Sequence, residues 1–224
     1  VDIKKDDPLY LANGAFELVV TKVQNGIIHA VVEKGGLLLP RKGINVPRTI
    51  LRSGGLTAQD IKDVKFAMET GVDYIALSFV QTPQDVEKLR KILGKKNSAQ
   101  IISKIERGIA LDNIDAIIRA SDGIMVARGD LGIEIPAEEV PIVQKNLIRH
   151  AHWHDKPAIV ATQMLLSMID HQQPTRAEVS DIANAVFERS DAVWLSDETA
   201  NGNYPVLAVS TMKKIISRID SFFI

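Results

Sequence analysis

The sequence predicts an α/β fold built on a parallel β-sheet, preceded by a small antiparallel β module. Three observations carry that expectation. Short apolar, β-branched runs begin near residues 74, 100, 123, 158 and 192, and each is followed by a helical pattern. Their spacing, roughly 25–35 residues, is that of consecutive βα units. Residues 1–47 instead show strand-like runs around an Asn-Gly pair and no helical pattern.

In the module, Phe16–Val23 and Ile27–Glu33 read as strands flanking Asn25-Gly26, a strong signal for a two-residue hairpin. Asn13-Gly14 marks a turn before the first strand and Gly35-Gly36 one after the second. Leu39–Pro47 holds two prolines and a glycine and reads as a connector without regular structure. The module is too short to hold a large core alone. Two parts are expected, a partial β domain over 1–47 and an α/β part over 48–224.

In the second part, Thr57 with Asp60 three residues later predicts a capped helix start, with Ile61, Val64, Phe66 and Met68 as its apolar residues. Tyr74–Val80 predicts a buried strand, and Thr82-Pro83 opens the next helix with proline at its first position. The strand Gln100–Glu106 leads to a helix over Ile109–Ala120, and the strand Gly123–Ala127 to a helix over Glu138–His154. After the strand Ala158–Thr162 comes a helix capped by Thr175 and Glu178. The strand Ala192–Ser196 is last, and Pro205 starts a helix to about Ile219. A doubly wound sheet and part of a (β/α)8 barrel both fit this order. The first strand lacks a Gly-x-Gly-x-x-Gly turn, which weighs against a dinucleotide-binding sheet.

Composition narrows the function. The 224 residues are 46% hydrophobic and 25% charged, as expected for a chain that buries a core. Lys+Arg is 27 and Asp+Glu 28, a balance that argues against nucleic-acid binding. With no cysteine, disulfide scaffolds, thiolate metal sites and cysteine nucleophiles are excluded, and a cytoplasmic setting fits. No apolar run reaches the length of a membrane span and no signal-peptide pattern opens the chain. Val1 stands in place of an initiator methionine, so a trimmed chain or a fragment is expected.

Chemistry in parallel α/β folds collects at the C-terminal ends of strands. There, Lys104 and Glu106 share one face with Ile105 opposite, either as a salt bridge capping the strand or as working groups. The next strand runs into Arg128-Gly129-Asp130, a polar exit whose backbone N–H groups suit a carboxylate or phosphate. Asp130 there either joins Glu106 in a hard-cation site or caps a helix beside an Arg128 ion pair. Thr162 ends the fourth strand as a β-former or as a substrate-binding hydroxyl. Ser78 and Ser196–Thr199 either line the same mouth or serve as turn and cap residues. Arg176 adds a charge near it. His150, His152 and His154 read as solvated helix-end residues, only His150 and His154 sharing a face. Met164 and Met168 read as packing residues.

Taken together, Ile102–Glu106, Ser121–Pro136, Ala161–Met164, Pro174–Glu178 and Ala192–Ala200 strongly resemble pyruvate kinase, in order and over nearly the whole chain. Asn45–Pro47 and Asp73–Phe79 add to the likeness. The resemblance implies an incomplete (β/α)8 TIM-type barrel, strands four to eight, with a partial small β lid domain. It implies Lys104 as the catalytic lysine and Glu106 and Asp130 as Mg²⁺ ligands. It further implies the Gly129 and Asp130 amides as the cradle for the substrate carboxylate, and Thr162 as the threonine near the methyl carbon. The implied glycolytic reaction moves the phosphoryl group of phosphoenolpyruvate to ADP, giving pyruvate and ATP. The resemblance also implies a K⁺ requirement whose ligands are not in this chain, and a homo-oligomer when complete, with no nucleic-acid or membrane partner.

The likeness has departures. The counterparts of the first three barrel strands, the first half of the lid and the C-terminal domain are absent, and with them part of the nucleotide site. Arg107 stands where the family usually has asparagine, and Asp197 where it usually has glycine. Two other readings stand beside it, a Mg²⁺-dependent aldolase of the phosphoenolpyruvate/pyruvate barrel superfamily and an inactive fragment acting through a partner.

Overall fold

The computed structural model describes residues 2–12, 14–40, 42–47, 49, 56–94 and 97–222. Asn13 and Arg41, part of the expected first turn and connector, lie outside the described residues.

The module is a four-stranded antiparallel sheet in the order β3-β2-β1-β4. It is formed by β1 (Pro8–Leu11), β2 (Phe16–Gln24), β3 (Ile27–Lys34) and β4 (Ile44–Asn45). The β2–β3 hairpin turns at Asn25 and Gly26, whose φ values of 52° and 77° are what a two-residue turn with left-handed centres needs. The first and last strands were not foreseen. The reading of 39–47 as irregular is corrected by β4, which pairs Ile44 with Leu11 and Asn45 with Tyr10. Pro40 and Pro47 fall outside this strand, so neither removes a needed donor. Leu9, Val20 and Val46 form the module's own small core.

The second sheet is parallel, in the order β5-β6-β7-β8-β9. Its strands are β5 (Tyr74–Leu77), β6 (Gln100–Ile105), β7 (Gly123–Ala127), β8 (Ala158–Ala161) and β9 (Ala192–Trp194). A doubly wound sheet reverses its order at a switch point, whereas this one advances strand by strand in one direction, the barrel-type path. Tyr74 and Trp194, on the two outer strands, are 61% and 52% exposed.

Helices α1 (Ala58–Thr70), α2 (Pro83–Leu93), α3 (Gly108–Leu111), α4 (Ile114–Ala120), α5 (Arg128–Glu134), α6 (Val140–Trp153), α7 (Arg176–Phe187), α8 (Asp197–Ala200) and α9 (Pro205–Asp220) connect and follow these strands. The expected single helix over 109–120 is two, α3 and α4. The break falls at Asp112-Asn113, short polar residues that compete with a helical backbone for hydrogen bonds. On α1 only Val64 is fully buried. Phe66, expected to pack, is 69% exposed because it falls off the Val64 stripe.

Alternate residues of the strands serve different faces. Ile101, Ile105, Ile124, Val126, Ala158 and Val160 join the main core with residues of the helices. Ile102, Met125, Ala161 and the partly buried Ile159 form a separate cluster. Lys104 lies two residues along β6 from Ile102, on this second face.

Helix caps hold the ends. Thr57 and Asp60 form the expected capping box, and the Thr82 N–H donates to Asp85 Oδ2 at 3.0 Å. At α7 the Thr175 N–H donates to Glu178 Oε2 (2.7 Å) and the Glu178 N–H to Thr175 Oγ1 (3.2 Å). Glu178 also accepts from Ser167 N and Oγ, tying α7 to the 3-10 turn Leu166–Ile169. Burial alone pushes the Glu178 carboxyl up. The bonds from Ser167 and Thr175 outweigh it and hold the group below its ordinary value. A depressed carboxylate contributes stability above its unfolded pKa and loses it as pH falls through the folded one. Thr175→Ala is expected to cost about 1 kcal/mol at neutral pH. The gap from wild type should narrow in acid, as thermal melts at several pH values would show.

Candidate active site

The exits of β6, β7 and β8 lie side by side, because Ile105 pairs with Val126 and Ala127 with Ala161. At the first exit the Lys104 ammonium is 2.7 Å from Glu106 Oε1 and donates to Ser78 Oγ at 3.2 Å. Glu106 is 1% exposed, and its Oε2 accepts the Phe79 N–H at 2.6 Å. Phe79 holds a φ of 55°, a left-handed conformation rare for an aromatic residue. The turn after β5 thus presents both an amide and a hydroxyl to the Lys104–Glu106 pair. The salt bridge foreseen for this pair is present, as is the approach of Ser78.

Arg128, Gly129 and Asp130 form the first turn of α5, directly after β7. The Gly129 N–H donates to Thr162 Oγ1 at 2.7 Å, and that hydroxyl donates to the Ala161 carbonyl at 2.6 Å. A Cβ on Gly129 would sit 3.4 Å from the same oxygen, an ordinary van der Waals contact. Thr162 and Gln163 have φ values of 73° and 57°. For β-branched Thr162 this strain costs on the order of 1–3 kcal/mol. Arg128 holds the turn in place, donating through Nη2 to the Thr162 carbonyl (2.8 Å) while Nη1 pairs with Asp181 (2.7 Å). The surface ion pair considered for Arg128 is thus a strut beneath Thr162.

The structure brings together Lys104 with Glu106, and Gly129 with Thr162. Asp130 lies in the same turn as Gly129, half-buried, its carboxylate without a hydrogen-bond or ion-pair partner among the described residues. Among the described residues no group of three or more His, Cys, Asp or Glu could hold a metal ion. Glu106 and Asp130 are hard oxygen donors of the kind Mg²⁺ takes, and two carboxylates suit it because it keeps water and substrate oxygens as further ligands. A cleft of about 380 Å³ adjoins Gly129, Gln163 and Asp181. A larger one of about 600 Å³ lies between the module and residues 132–137. Neither is lined by Lys104 or Glu106.

Asp197–Thr199 lie in α8, with Ser196 at its N-cap position and making no side-chain cap bond. Glu198, 1% exposed, accepts from Leu165 N and Ser196 N. Asp197 has no left-handed backbone, so the position imposes no glycine on that ground. Gly202 does need to be glycine, since a Cβ there would meet the Glu198 carbonyl oxygen at 2.4 Å. Arg176 is exposed. The histidines are not simply solvated. His150 and His154 share Asp115 at 2.8 and 3.3 Å, and His152 pairs with Asp191 at 3.1 Å. The bond to His150 holds Asp115 below its ordinary value. Sequence reading missed these partners because each lies more than 30 residues away along the chain. It also missed Glu134, whose carboxyl burial pushes up while the Arg107 guanidinium opposes the shift.

The sequence profile described as "Pyruvate kinase, barrel domain" matches residues 1–209. The chain belongs to the pyruvate kinase family. It is 51% identical over 223 residues to a pyruvate kinase of Bacillus licheniformis, covering 98% of this chain and 38% of that relative. It is 48% identical over 218 residues to one of Sporosarcina psychrophila (96% and 37%), and 46% identical over 221 residues to one of Thermococcus litoralis (98% and 46%). The chain thus spans less than half the length of these pyruvate kinases. Among the described residues no helix is long and apolar enough to cross a membrane.

Proposed function

We propose that this chain carries the enolate half of a pyruvate kinase site, which in the whole protein transfers the phosphoryl group of phosphoenolpyruvate to ADP. The whole protein would then act in glycolysis, in the cytoplasm, as a homo-oligomer with Mg²⁺ and K⁺. The barrel reading extends in the same way, with β5 to β9 as strands four to eight of a (β/α)8 barrel and the module as part of its lid. The observation that carries the proposal is the alignment of three neighbouring strand exits. They place an ammonium–carboxylate pair beside a turn that holds the Asp130 carboxylate, unpartnered among the described residues, the Gly129 amide and a strained threonine.

In this reading the Lys104 ammonium stabilises negative charge on the transferring phosphoryl group and then on the enolate oxygen. Such transfer depends on positioning and charge neutralisation more than on covalent help. The Gly129 and Asp130 amides bind the substrate carboxylate. Because the Gly129 N–H is already donated to Thr162 Oγ1, an incoming carboxylate competes for that donor, while the Thr162 hydroxyl keeps its own bond to the Ala161 carbonyl. Glu106 and Asp130 would hold Mg²⁺, which supplies electrostatic stabilisation of the substrate oxygens.

The test is deuterium exchange into the methyl group of pyruvate, followed by proton NMR in D₂O with and without Mg²⁺. Exchange that depends on Mg²⁺ and on Lys104 is the expected result. Its absence from the whole protein would refute the enolate site. Phosphoryl transfer to ADP then separates this reading from an aldolase, which also forms a pyruvate enolate.

A further inference from the structure

The turn that follows β5 contacts both members of the ammonium–carboxylate pair. Its two residues, Ser78 and Phe79, come directly after Leu77, which pairs with Ser103 on β6, so the turn lies beside Lys104 at the strand exits. The Phe79 N–H donates to Glu106 Oε2 at 2.6 Å. Lys104 Nζ lies 2.7 Å from Glu106 Oε1 and donates to Ser78 Oγ at 3.2 Å. Each carboxylate oxygen thus has its own donor. Among the described residues Lys104 has these two partners, and the exposed Ser78 hydroxyl has Lys104 alone.

We propose that Ser78 is a positioning residue for Lys104, the acceptor that keeps the ammonium in place when Glu106 is engaged by a divalent cation. The inference rests on the functional reading above for that cation and for the effect on turnover.

Charge makes a second acceptor necessary. In that reading Glu106 serves both the ammonium and Mg²⁺. A carboxylate that binds a divalent cation has less to offer an ammonium, and the two cations repel. A lysine carries a compact charge on a flexible four-carbon stem, and this side chain is 25% exposed, so loss of the ion pair frees it to move. A serine hydroxyl is neutral, with two lone pairs to offer. It can keep the ammonium without drawing the hard cation as a carboxylate would.

The backbone holds that hydroxyl where it is. Phe79, with its φ of 55°, is strained, and such strain persists only where the surroundings over-determine it. Those surroundings are buried. Leu77 and Val80 are 7% and 1% exposed, and the Gln81 and Thr82 N–H groups donate to Asp85 Oδ2 at 3.1 and 3.0 Å. None of these bonds involves the Ser78 hydroxyl, so removing it leaves the turn intact.

The test uses crystals of the whole protein. Glu106→Ala removes the ion pair without any cation. Lys104 Nζ is then expected to stay within hydrogen-bond reach of Ser78 Oγ, and to spread over several rotamers once Ser78→Ala is added. If Glu106→Ala does not fold, Glu106→Gln takes its place. A lysine that leaves Ser78 in the single variant, or is equally ordered in the double one, overturns the proposal. In turnover, Ser78→Ala should lower kcat roughly 10–100-fold with KM for phosphoenolpyruvate unchanged, the mark of a group placed for the transition state. Ser78→Thr, which keeps a hydroxyl, should restore most of the rate. In a Lys104→Ala background Ser78→Ala should have no further effect, because the serine acts through the lysine. Unchanged turnover in Ser78→Ala, or a loss that persists without Lys104, also overturns the proposal. Crystals soaked with Mg²⁺ and pyruvate separate the two readings. Mg²⁺ bound away from Glu106 would refute the functional one, and the metal-free variants would still decide the role of Ser78.

Discussion

Lys104→Ala abolishes phosphoryl transfer in the whole protein, by about 10³-fold or more, if the ammonium neutralises the transferring group as proposed. The structure adds a second consequence. Glu106 is 1% exposed, and its partners are Lys104 at 2.7 Å and the Phe79 amide at 2.6 Å. Removing Lys104 leaves a buried carboxylate with a single donor among the described residues, which is destabilising. Lys104 itself is 25% exposed, so water moderates the loss. The expected cost is about 1–3 kcal/mol, a lowered melting temperature rather than an unfolded protein. Adding Glu106→Gln to that variant should return part of the stability and none of the activity. Turnover at the normal rate by Lys104→Ala would remove the lysine from the mechanism. Unchanged melting would mean that Glu106 does not depend on the pair.

Asp130→Ala should behave in the opposite way, with a large functional effect and almost no structural one. Its carboxylate has no hydrogen-bond or ion-pair partner among the described residues. Its place in the first turn of α5 gives it a modest favourable interaction with the helix dipole. Stability should therefore change by about 0.5 kcal/mol or less. Mg²⁺-dependent binding of phosphoenolpyruvate should weaken by at least roughly 10–100-fold, the range found even for groups behind the metal ligands. Isothermal titration with and without Mg²⁺ reads this directly. A titration that matches wild type would show that Asp130 holds no metal. The contrast with Lys104 is diagnostic, because one side chain has a structural partner to lose and the other has none among the described residues.

The site was legible in the sequence where its residues are close along the chain. Lys104 and Glu106 are two apart on a strand, so alternation alone places them on one face. Gly129 and Asp130 follow a strand directly, where amides and an acidic first turn invite an anion or a cation. The links between these groups were not legible. Thr162 reaches the Gly129 amide from 33 residues away and Arg107 reaches Thr49 from 58, and no local pattern announces either contact. The sequence reading of Thr162 allowed both a β-former and a substrate hydroxyl. Its φ of 73°, visible only in the fold, is what sets it apart from an ordinary strand residue.

The sequence by itself determined the kinds and order of most elements, β1 and β4 apart, because these follow from local causes. The Asn25-Gly26 turn, the Thr57 and Thr175 capping boxes, Pro83 and Pro205 at helix starts and the all-buried run Gly123–Ala127 are each governed by a few neighbouring residues. Where two local signals competed, as at Asp112-Asn113, the boundary moved. Only the tertiary structure decided the strand order, the recruitment of Ile44–Asn45 into the module and the partners of Arg107, Arg128 and the three histidines. Those depend on which distant surfaces meet, and therefore on burial and on finding partners for most polar groups removed from water. A buried guanidinium must find acceptors wherever the fold supplies them. For Arg107 these are the Val46 and Thr49 carbonyls at the module's edge, with the Glu134 carboxylate at the end of α5 as its ion-pair partner.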